Sequence, residues 1–310
     1  KQSNNTLYQN LQILSGRYGL SSKDTTPAQI AAVYANTSKT PFTVGIHDDV
    51  THLSLPVPSL GDTAASDIVS CKFWGLGADG TVGANKNSVK IIGDHTNLYA
   101  QAYFDYDSKK SGGVTVSHLR FGQKPIRSAY LIHKANFVAC HKSAFVRKYD
   151  MVQDLKDHGI FLLNCSWNME ELEQELPGQV KKYLYDHQIR FYTIDGFKIA
   201  KEIGLGGRIN TILQAAFFAL SNVIPVQDAI RLMKEAATAT YAKKGENVVA
   251  MNHSAIDAGA KAFHQINIPA SWGQCDFEPL EIEATGERAD VVNYVNQIQN
   301  KINRQIGHTL

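Results

Sequence analysis

The run "IFLLNCS", Ile160 to Ser166, is apolar at consecutive positions rather than at alternate ones. A strand of that kind needs cover on both faces, so the chain has to build a sheet enclosed by other layers. The neighbouring pattern supplies those layers. From Ile68 onward, strand-like segments ("DIVSCKFWGLG", "YAQAYFDYD", "GVTVSHLRFG", "NFVACH", "IRFYTID") are interleaved with helical ones. "TVGANKNSVKIIGDH" reads as a helix with Val82, Val89 and Ile92 on one side, and "NMEELEQELPGQVKKYLYDHQ" as one charged helix. Four further helical stretches fill Gly196 to Gln265. This alternation predicts an α/β sheet. Right-handed crossovers would gather the loops that follow the strands on one edge, where ligands bind.

The first part of the chain reads separately. "TTPAQIAAVYANTS" predicts a helix capped by Thr25 or Thr26 with Pro27 at its first position. Phe42–Ile46 is strand-like, and Pro56, Pro58 and Gly61 mark an extended connector. After "PASWGQC" the composition shifts to a segment without a strong core period. The expected organisation is therefore 1–58, 59–275 and a linker arm at 276–310. The chain opens without an initiator Met and without a signal-peptide pattern, as expected of the middle of a longer polypeptide.

A formal net charge of +2 argues against a surface dedicated to nucleic acid. No apolar run is long enough for a membrane span; "AAFFALSNVI" is the nearest and suits a buried helix. Cys71, Cys140, Cys165 and Cys275 are scattered and form no C-x-x-C, which fits reduced cytoplasmic thiols better than a disulfide framework, a zinc site or an iron–sulfur site.

The most chemical stretch is "CKFWGLGADGTVGANKNSVK". Gly75, Gly77 and Gly80 form G-x-G-x-x-G between a strand and a helix, the context of a dinucleotide fingerprint. The acidic residue such folds place about 20 residues further on is not clean, and Asp79 inside the turn would repel a pyrophosphate unless it caps the helix. A P-loop fails because Ala84, not Lys-Ser/Thr, follows Gly83. A tight strand–helix turn with no ligand remains an open alternative. Lys72 precedes the turn, and Lys86 and Lys90 share one helix face, either for phosphate or simply for water.

Other candidates are weaker. Arg17, Ser21, Ser22 and Lys23 precede a helix and form either an anion cradle or an exposed cap. His118 suits a core or interface histidine better than a base. Asn164 and Ser166 fall at a strand's carboxyl end, where an amide and a hydroxyl can meet a ligand. "GLGGRINTILQAAFFAL" reads as a packing or subunit-contact helix. No catalytic triad, paired carboxylates or H-E-x-x-H occurs.

Long blocks carry a more specific signal. "GRYGLSSKDTTPAQI", "SCKFWGLGADGTVGANKNSVKIIGDHT", "YAQAYFDYDSKKSGGVTVSHLRFG", "FLLNCSW" and "EIGLGGRINTILQAAFF" resemble pyruvate:ferredoxin (flavodoxin) oxidoreductases over nearly the whole chain. The resemblance implies the end of the family's second α/β domain followed by its Rossmann-like γ-type domain. It implies an enzyme that converts pyruvate and coenzyme A to acetyl-CoA and CO₂ and reduces ferredoxin or flavodoxin. Thiamine diphosphate, Mg and [4Fe–4S] clusters would belong to other domains, since neither the G-D-G…N signature nor C-x₂-C-x₂-C is present here. It further implies a cytoplasmic homodimer with no nucleic-acid or membrane partner. This chain would contribute coenzyme A binding and domain assembly, with Arg17, Lys23, Lys72, Asn164 and Ser166 as contacts and no catalytic residue. An independent NAD- or flavin-binding module and a purely structural scaffold are the alternatives.

Overall fold

A computed structural model describes residues 11–18, 25–45, 50–107, 112–280, 283–304 and 306. The chain divides into two units, one of 1–64, 128–131 and 308–310, the other of 65–127 and 132–307. The division thus falls at 64/65, six residues beyond the expected connector boundary, and the first unit also takes in a short later segment.

In the first unit, β1 (Gly16–Tyr18) runs parallel to β2 (Phe42–Val44), and α1 (Pro27–Ala35) lies between them in sequence. Thr26 is the cap: its hydroxyl accepts from Gln29 N at 3.3 Å, and Gln29 Oε1 accepts from Thr26 N at 2.8 Å. This reciprocal pair satisfies two donors that a helix start leaves open. Ala32, Phe42 and Leu55 form a small core. β2 ends at Val44, and Ile46 lies outside the described residues.

The second unit contains β3 (Val69–Leu76), α2 (Thr81–His95), β4 (Tyr99–Tyr106), β5 (Val114–Gly122), β6 (Ala135–Cys140) and β7 (Leu155–Asn164). Then come α3 (Met169–Glu175), α4 (Gly178–Asp186), β8 (Arg190–Ile194), α5 (Gly196–Ile203), α6 (Asn210–Ser221), α7 (Val226–Tyr241), α8 (Glu246–Gly259) and β9 (His264–Gln265). The seven strands are ordered β4-β5-β3-β6-β7-β8-β9. β3, β6, β7 and β8 are mutually parallel, whereas β5 is antiparallel to both β3 and β4, and β9 to β8. The carboxyl ends of four central strands therefore share one edge.

Both sheet faces are covered, as the continuous apolar run requires. Register places Cys71, Phe73, Leu119, Phe137, Ala139, Ile160 and Leu162 on one face, in one core with α5 to α8. Trp74, Val116, Val138, Cys140, Phe161, Leu163 and Phe191 belong to the other, packed with α3, α4 and the turn at Trp272. On the first face Phe217 of α6 meets Phe73 and Phe137 edge-on, with ring centroids 5.1 and 5.2 Å apart. That aromatic contact fixes α6 to β3 and β6.

Three expectations need correction. The charged helix is two helices, α3 and α4, because Pro177 between them has no N–H to donate and its ring blocks the preceding turn. α2 buries Thr81, Ala84, Asn85, Ser88, Ile91 and Ile92, leaving Val82 and Val89 half-buried. Its inner face is partly polar because Gln214 of α6 donates to Ser88 Oγ at 3.0 Å. Residues beyond 275 do not leave the unit at once: Glu278 binds Arg147 Nη1 at 3.1 Å and Gly178 N at 3.3 Å. None of the described residues beyond 275 is buried, the later helical run 289–303 included.

Gly259, the last residue of α8, marks where α6 and α8 touch backbone to backbone. A Cβ there would stand 2.2 Å from Ile212 O. Alanine normally strengthens a helix relative to glycine by about 1 kcal/mol. Gly259→Ala is expected to do the reverse and destabilise by about 1–3 kcal/mol through overpacking. Urea unfolding would measure it, and an unchanged or higher midpoint would remove the close approach.

Candidate functional site

The strand ends on the carboxyl edge are held by hydrogen bonds from the loops themselves. His141 N donates to Trp74 O at 2.9 Å, joining the end of β6 to β3. Asn164, 2% exposed at the end of β7, donates its Nδ2 to His141 O and accepts from Gly196 N at Oδ1, each at 2.9 Å. One buried amide thus ties the ends of β6 and β7 to the start of α5. Asn164, expected to meet a ligand, is committed to the fold. Ser166, two residues on, is exposed on the same edge.

The glycine turn is closed by its own carboxylate. Asp79 Oδ2 accepts from Leu76 N at 2.8 Å, and Oδ1 accepts from Thr81 N at 2.7 Å. An anion therefore already sits at the start of α2, where a pyrophosphate would be cradled. The glycines follow from this geometry. A Cβ on Gly75 would lie 2.5 Å from Thr81 Oγ1, and Gly80 has φ +89, a left-handed conformation that side chains disfavour. The turn's spacing matches a dinucleotide fingerprint, but Asp79 already takes the Leu76 and Thr81 N–H groups.

Thr81 Oγ1 shares a 2.8 Å hydrogen bond with Nδ1 of His141. Burial pushes the His141 imidazole down from the usual 6.5 to about 4, against a smaller upward pull from Asp79. Thr81 is 1% exposed, so the pair braces the turn rather than offering a nucleophile.

Lys72 is not at the strand's end. It is the fourth residue of β3, with four more before the strand stops, and is 7% exposed. Its Nζ is 2.5 Å from Asp154 Oδ2 and 5.3 Å from the Trp74 ring centroid. It pairs in register with His118, whose imidazole is held well below its ordinary range by burial and by the Lys72 and Arg120 charges. Nδ1 of His118 accepts from Ile132 N at 3.1 Å. Both side chains thus have places in the core. Lys86 and Lys90 are exposed, with Lys86 over the Phe104 ring. Arg17 is exposed on β1 in the first unit, and Lys23 lies outside the described residues.

Two clefts open beside Gly80. One, of about 560 Å³, is bounded by the glycine turn and the β4–β5 strand ends and carries the Asp79 and Asp107 carboxylates. The other, of about 310 Å³, lies between α2, α6 and α7 and has no charged residue in its lining. Asn87, Asn210, Thr211, Gln214 and Thr240 supply its polar groups, and Gly80, Gly83, Ala84, Ala236 and Ala237 its small ones. Gln214 is 8% exposed, and its Nε2 donates to Asn87 Oδ1 and Ser88 Oγ, both at 3.0 Å. α6 starts at Asn210 with no side chain capping it, so its first N–H groups also face outward at this end.

Sequence reading missed this second set. Its signal was present: Asn210 and Gln214 stand one turn apart in an otherwise apolar helix.

The residues do not fit a metal cluster. Among the described residues no three His, Cys, Asp or Glu side chains come together. Burial holds the Cys140 and Cys165 thiols up near 12 and 11, and Cys71 higher still, whereas metal ligation needs thiolates. Among the described residues no helix is long and apolar enough to cross a membrane.

His141 makes stability depend on pH. Between about 6.5 and 4 the unfolded chain protonates this residue while the folded chain does not. The unfolded state then binds more protons, so folding weakens as pH falls through that window. The stability advantage of the native chain over a His141→Gln variant is expected to shrink from pH 6.5 to 4, as read by urea titrations. A constant difference would show that His141 titrates normally.

Comparison with known proteins gives the context. The profile of the family described as "POR: Pyruvate ferredoxin/flavodoxin oxidoreductase" matches residues 70–262. The chain is 49% identical over 302 residues to the pyruvate:ferredoxin oxidoreductase of Moorella thermoacetica, covering 96% of this chain and 25% of that protein. It is 51% identical over 304 residues to the pyruvate-flavodoxin oxidoreductase of Klebsiella pneumoniae, with the same coverage. The chain therefore spans about a quarter of the length of these curated relatives. Among solved structures, the pyruvate oxidoreductase subunit PORC of Thermotoga maritima superposes with a TM-score of 0.53 at 15% identity, over 65% of this chain and 100% of that one, and so shares the fold. By its sequence the chain belongs to the pyruvate ferredoxin/flavodoxin oxidoreductase family.

Proposed function

We propose that the chain is the γ-type portion of a pyruvate:ferredoxin or pyruvate:flavodoxin oxidoreductase and that it helps to bind coenzyme A. The observation that carries this reading is the uncharged, amide-lined cleft between α2, α6 and α7 beside the carboxyl edge of the sheet. Coenzyme A has a long uncharged part, the pantetheine arm, whose amides and hydroxyl both donate and accept. Asn210, Gln214 and Asn87 complement such groups, and the uncapped start of α6 adds N–H donors. Ser166 is retained as a further contact on the same edge. Lys72 and Asn164 are assigned to the fold instead, because an ion pair and two backbone hydrogen bonds already occupy them.

The rest of the reaction falls to the remainder of a longer polypeptide. Oxidative decarboxylation of pyruvate, with thiamine diphosphate, Mg and [4Fe–4S] clusters, would take place on other domains of a cytoplasmic homodimer that delivers electrons to ferredoxin or flavodoxin. Binding of NAD or a flavin at the glycine turn is disfavoured, since Asp79 would oppose the pyrophosphate.

Calorimetric titration separates the readings. Coenzyme A is expected to bind saturably, and Gln214→Leu and Asn210→Ala each to weaken it about tenfold, the cost of one lost hydrogen bond in a binding site. Saturation by NAD instead, or no heat from coenzyme A even in a polypeptide extended to the relatives' full length, would overturn the proposal.

A further inference from the structure

α2 and α6 cover the same side of the sheet in different ways. α6 meets it through Phe217, edge-on to Phe73 and Phe137. α2 packs over β5 as well as β3 and β4, and there three buried polar side chains find no partner. Asn85 of α2 is 3% exposed, and Ser117 and Thr115 of β5 are 0% and 4% exposed. Asn85 Nδ2, Ser117 Oγ and Thr115 Oγ1 are each shielded from solvent and, among the described residues, make no hydrogen bond. A buried polar group in that state costs its full desolvation, so native proteins nearly always satisfy it, with protein or with ordered water.

The topology brings the three together. β3 and β4 are both antiparallel to β5, so they run the same way, and α2 between them returns along the sheet. Its first residue, Thr81, stands over Gly75, where a Cβ would lie 2.5 Å from Thr81 Oγ1. Thr115 pairs with Gly75, and Ser117 with Phe73, two residues back along β3. Asn85 is four residues along the helix from Thr81, about 6 Å of rise. Two residues of strand cover about 6.6 Å. Asn85 therefore comes level with Ser117, as Thr81 comes level with Thr115. Thr115 and Ser117 share one face of β5, the face on which α2 lies. The three groups border one polar layer, yet none bonds to another.

Polar groups that are neighbours beyond direct reach are what a water molecule joins. The Asn85 amide can donate to its oxygen and the two hydroxyls can accept from its hydrogens, the three bonds typical of a buried water. None of the three side chains is charged, which favours water over an ion. Thr115 also belongs to the wall of the cleft of about 560 Å³ at the glycine turn, so the layer has a route to solvent. We infer that α2 is seated on β5 through buried water held by Asn85 Nδ2, Ser117 Oγ and Thr115 Oγ1. The glycine turn opens directly into α2, so this hydrated layer also sets where the turn sits.

Thermal unfolding tests the inference, because an unpaired hydroxyl and a water-bound one respond oppositely to removal. Deleting an unpaired hydroxyl relieves a penalty, whereas deleting one that holds water strips a bond from the water and its other partners. Thr115→Val and Ser117→Ala are each expected to lower the melting temperature by about 2–4 °C. In an Asn85→Leu background, where the amide donor is gone but the side-chain shape is kept, each should cost less than half as much. Should Asn85→Leu not fold, the Thr115→Val and Ser117→Ala pair supplies the same cycle, with a combined loss smaller than the sum. Nuclear magnetic resonance gives the direct readout. The Asn85 side-chain amide protons should show an Overhauser cross-peak to water, and should keep it in Ser117→Ala, where that hydroxyl cannot relay exchange. A melting temperature that holds or rises in either single variant overturns the inference. So does a missing Asn85 cross-peak, and so do additive losses, which would mean that the groups share no water.

Discussion

The carboxyl edge depends on a chain of hydrogen bonds running across the strands through one side chain. Trp74 O takes His141 N, His141 O takes the Asn164 amide, and the Asn164 carbonyl takes Gly196 N. Strand ends that carry loops tend to splay, because the ladder stops while each backbone still has donors and acceptors to satisfy. Asparagine has one acceptor and one donor group on a short stem, so it can bridge two such ends inside the protein. With those ends fixed, the start of α5 is fixed too. A ligand competing for Asn164 would leave buried backbone groups unpaired, at about 1–3 kcal/mol each.

The glycine turn applies the same economy to charge. A helix start attracts an anion, and here Asp79 supplies it from within the loop. That choice divides the surroundings of Gly80. On the β4–β5 side the cleft carries two carboxylates, and on the α6 side it carries none. A phosphate is repelled from the first and finds no cation in the second. Uncharged amide and hydroxyl groups suit the second, so electrostatics selects the ligand's chemistry before shape does.

Most of the architecture was legible in sequence because period and punctuation agree with it. "IFLLNCS" announced a strand covered on both faces, "TTPAQ" a capped helix, and "TVGANKNSVKIIGDH" matched α2 from end to end. Pro177 was a visible break that the charged pattern around it disguised. The site was less legible, for a physical reason. Residue type does not say whether a polar side chain faces a ligand or a neighbouring loop. Lys72 and Asn164 have the right chemistry in the right segments, yet Asp154 and two backbone groups satisfy them, and those partners lie 82, 23 and 32 residues away. Asn210 and Gln214 were hidden by the opposite effect, two amides in a helix whose apolar character dominates its pattern.

That apolar character is what would make the two amides useful to the proposed ligand. A side chain that must wander to meet its ligand loses rotamer freedom on binding, about 0.5–1.5 kcal/mol for a flexible one. Here the cost is met during folding. Phe217 holds α6 against Phe73 and Phe137, Gly259 lets α8 press on its backbone at Ile212, and Ser88 and Asn87 orient the Gln214 amide. On the proposed reading the packing helix and the binding helix are one element, with its core face supplying the rigidity that its first two turns need.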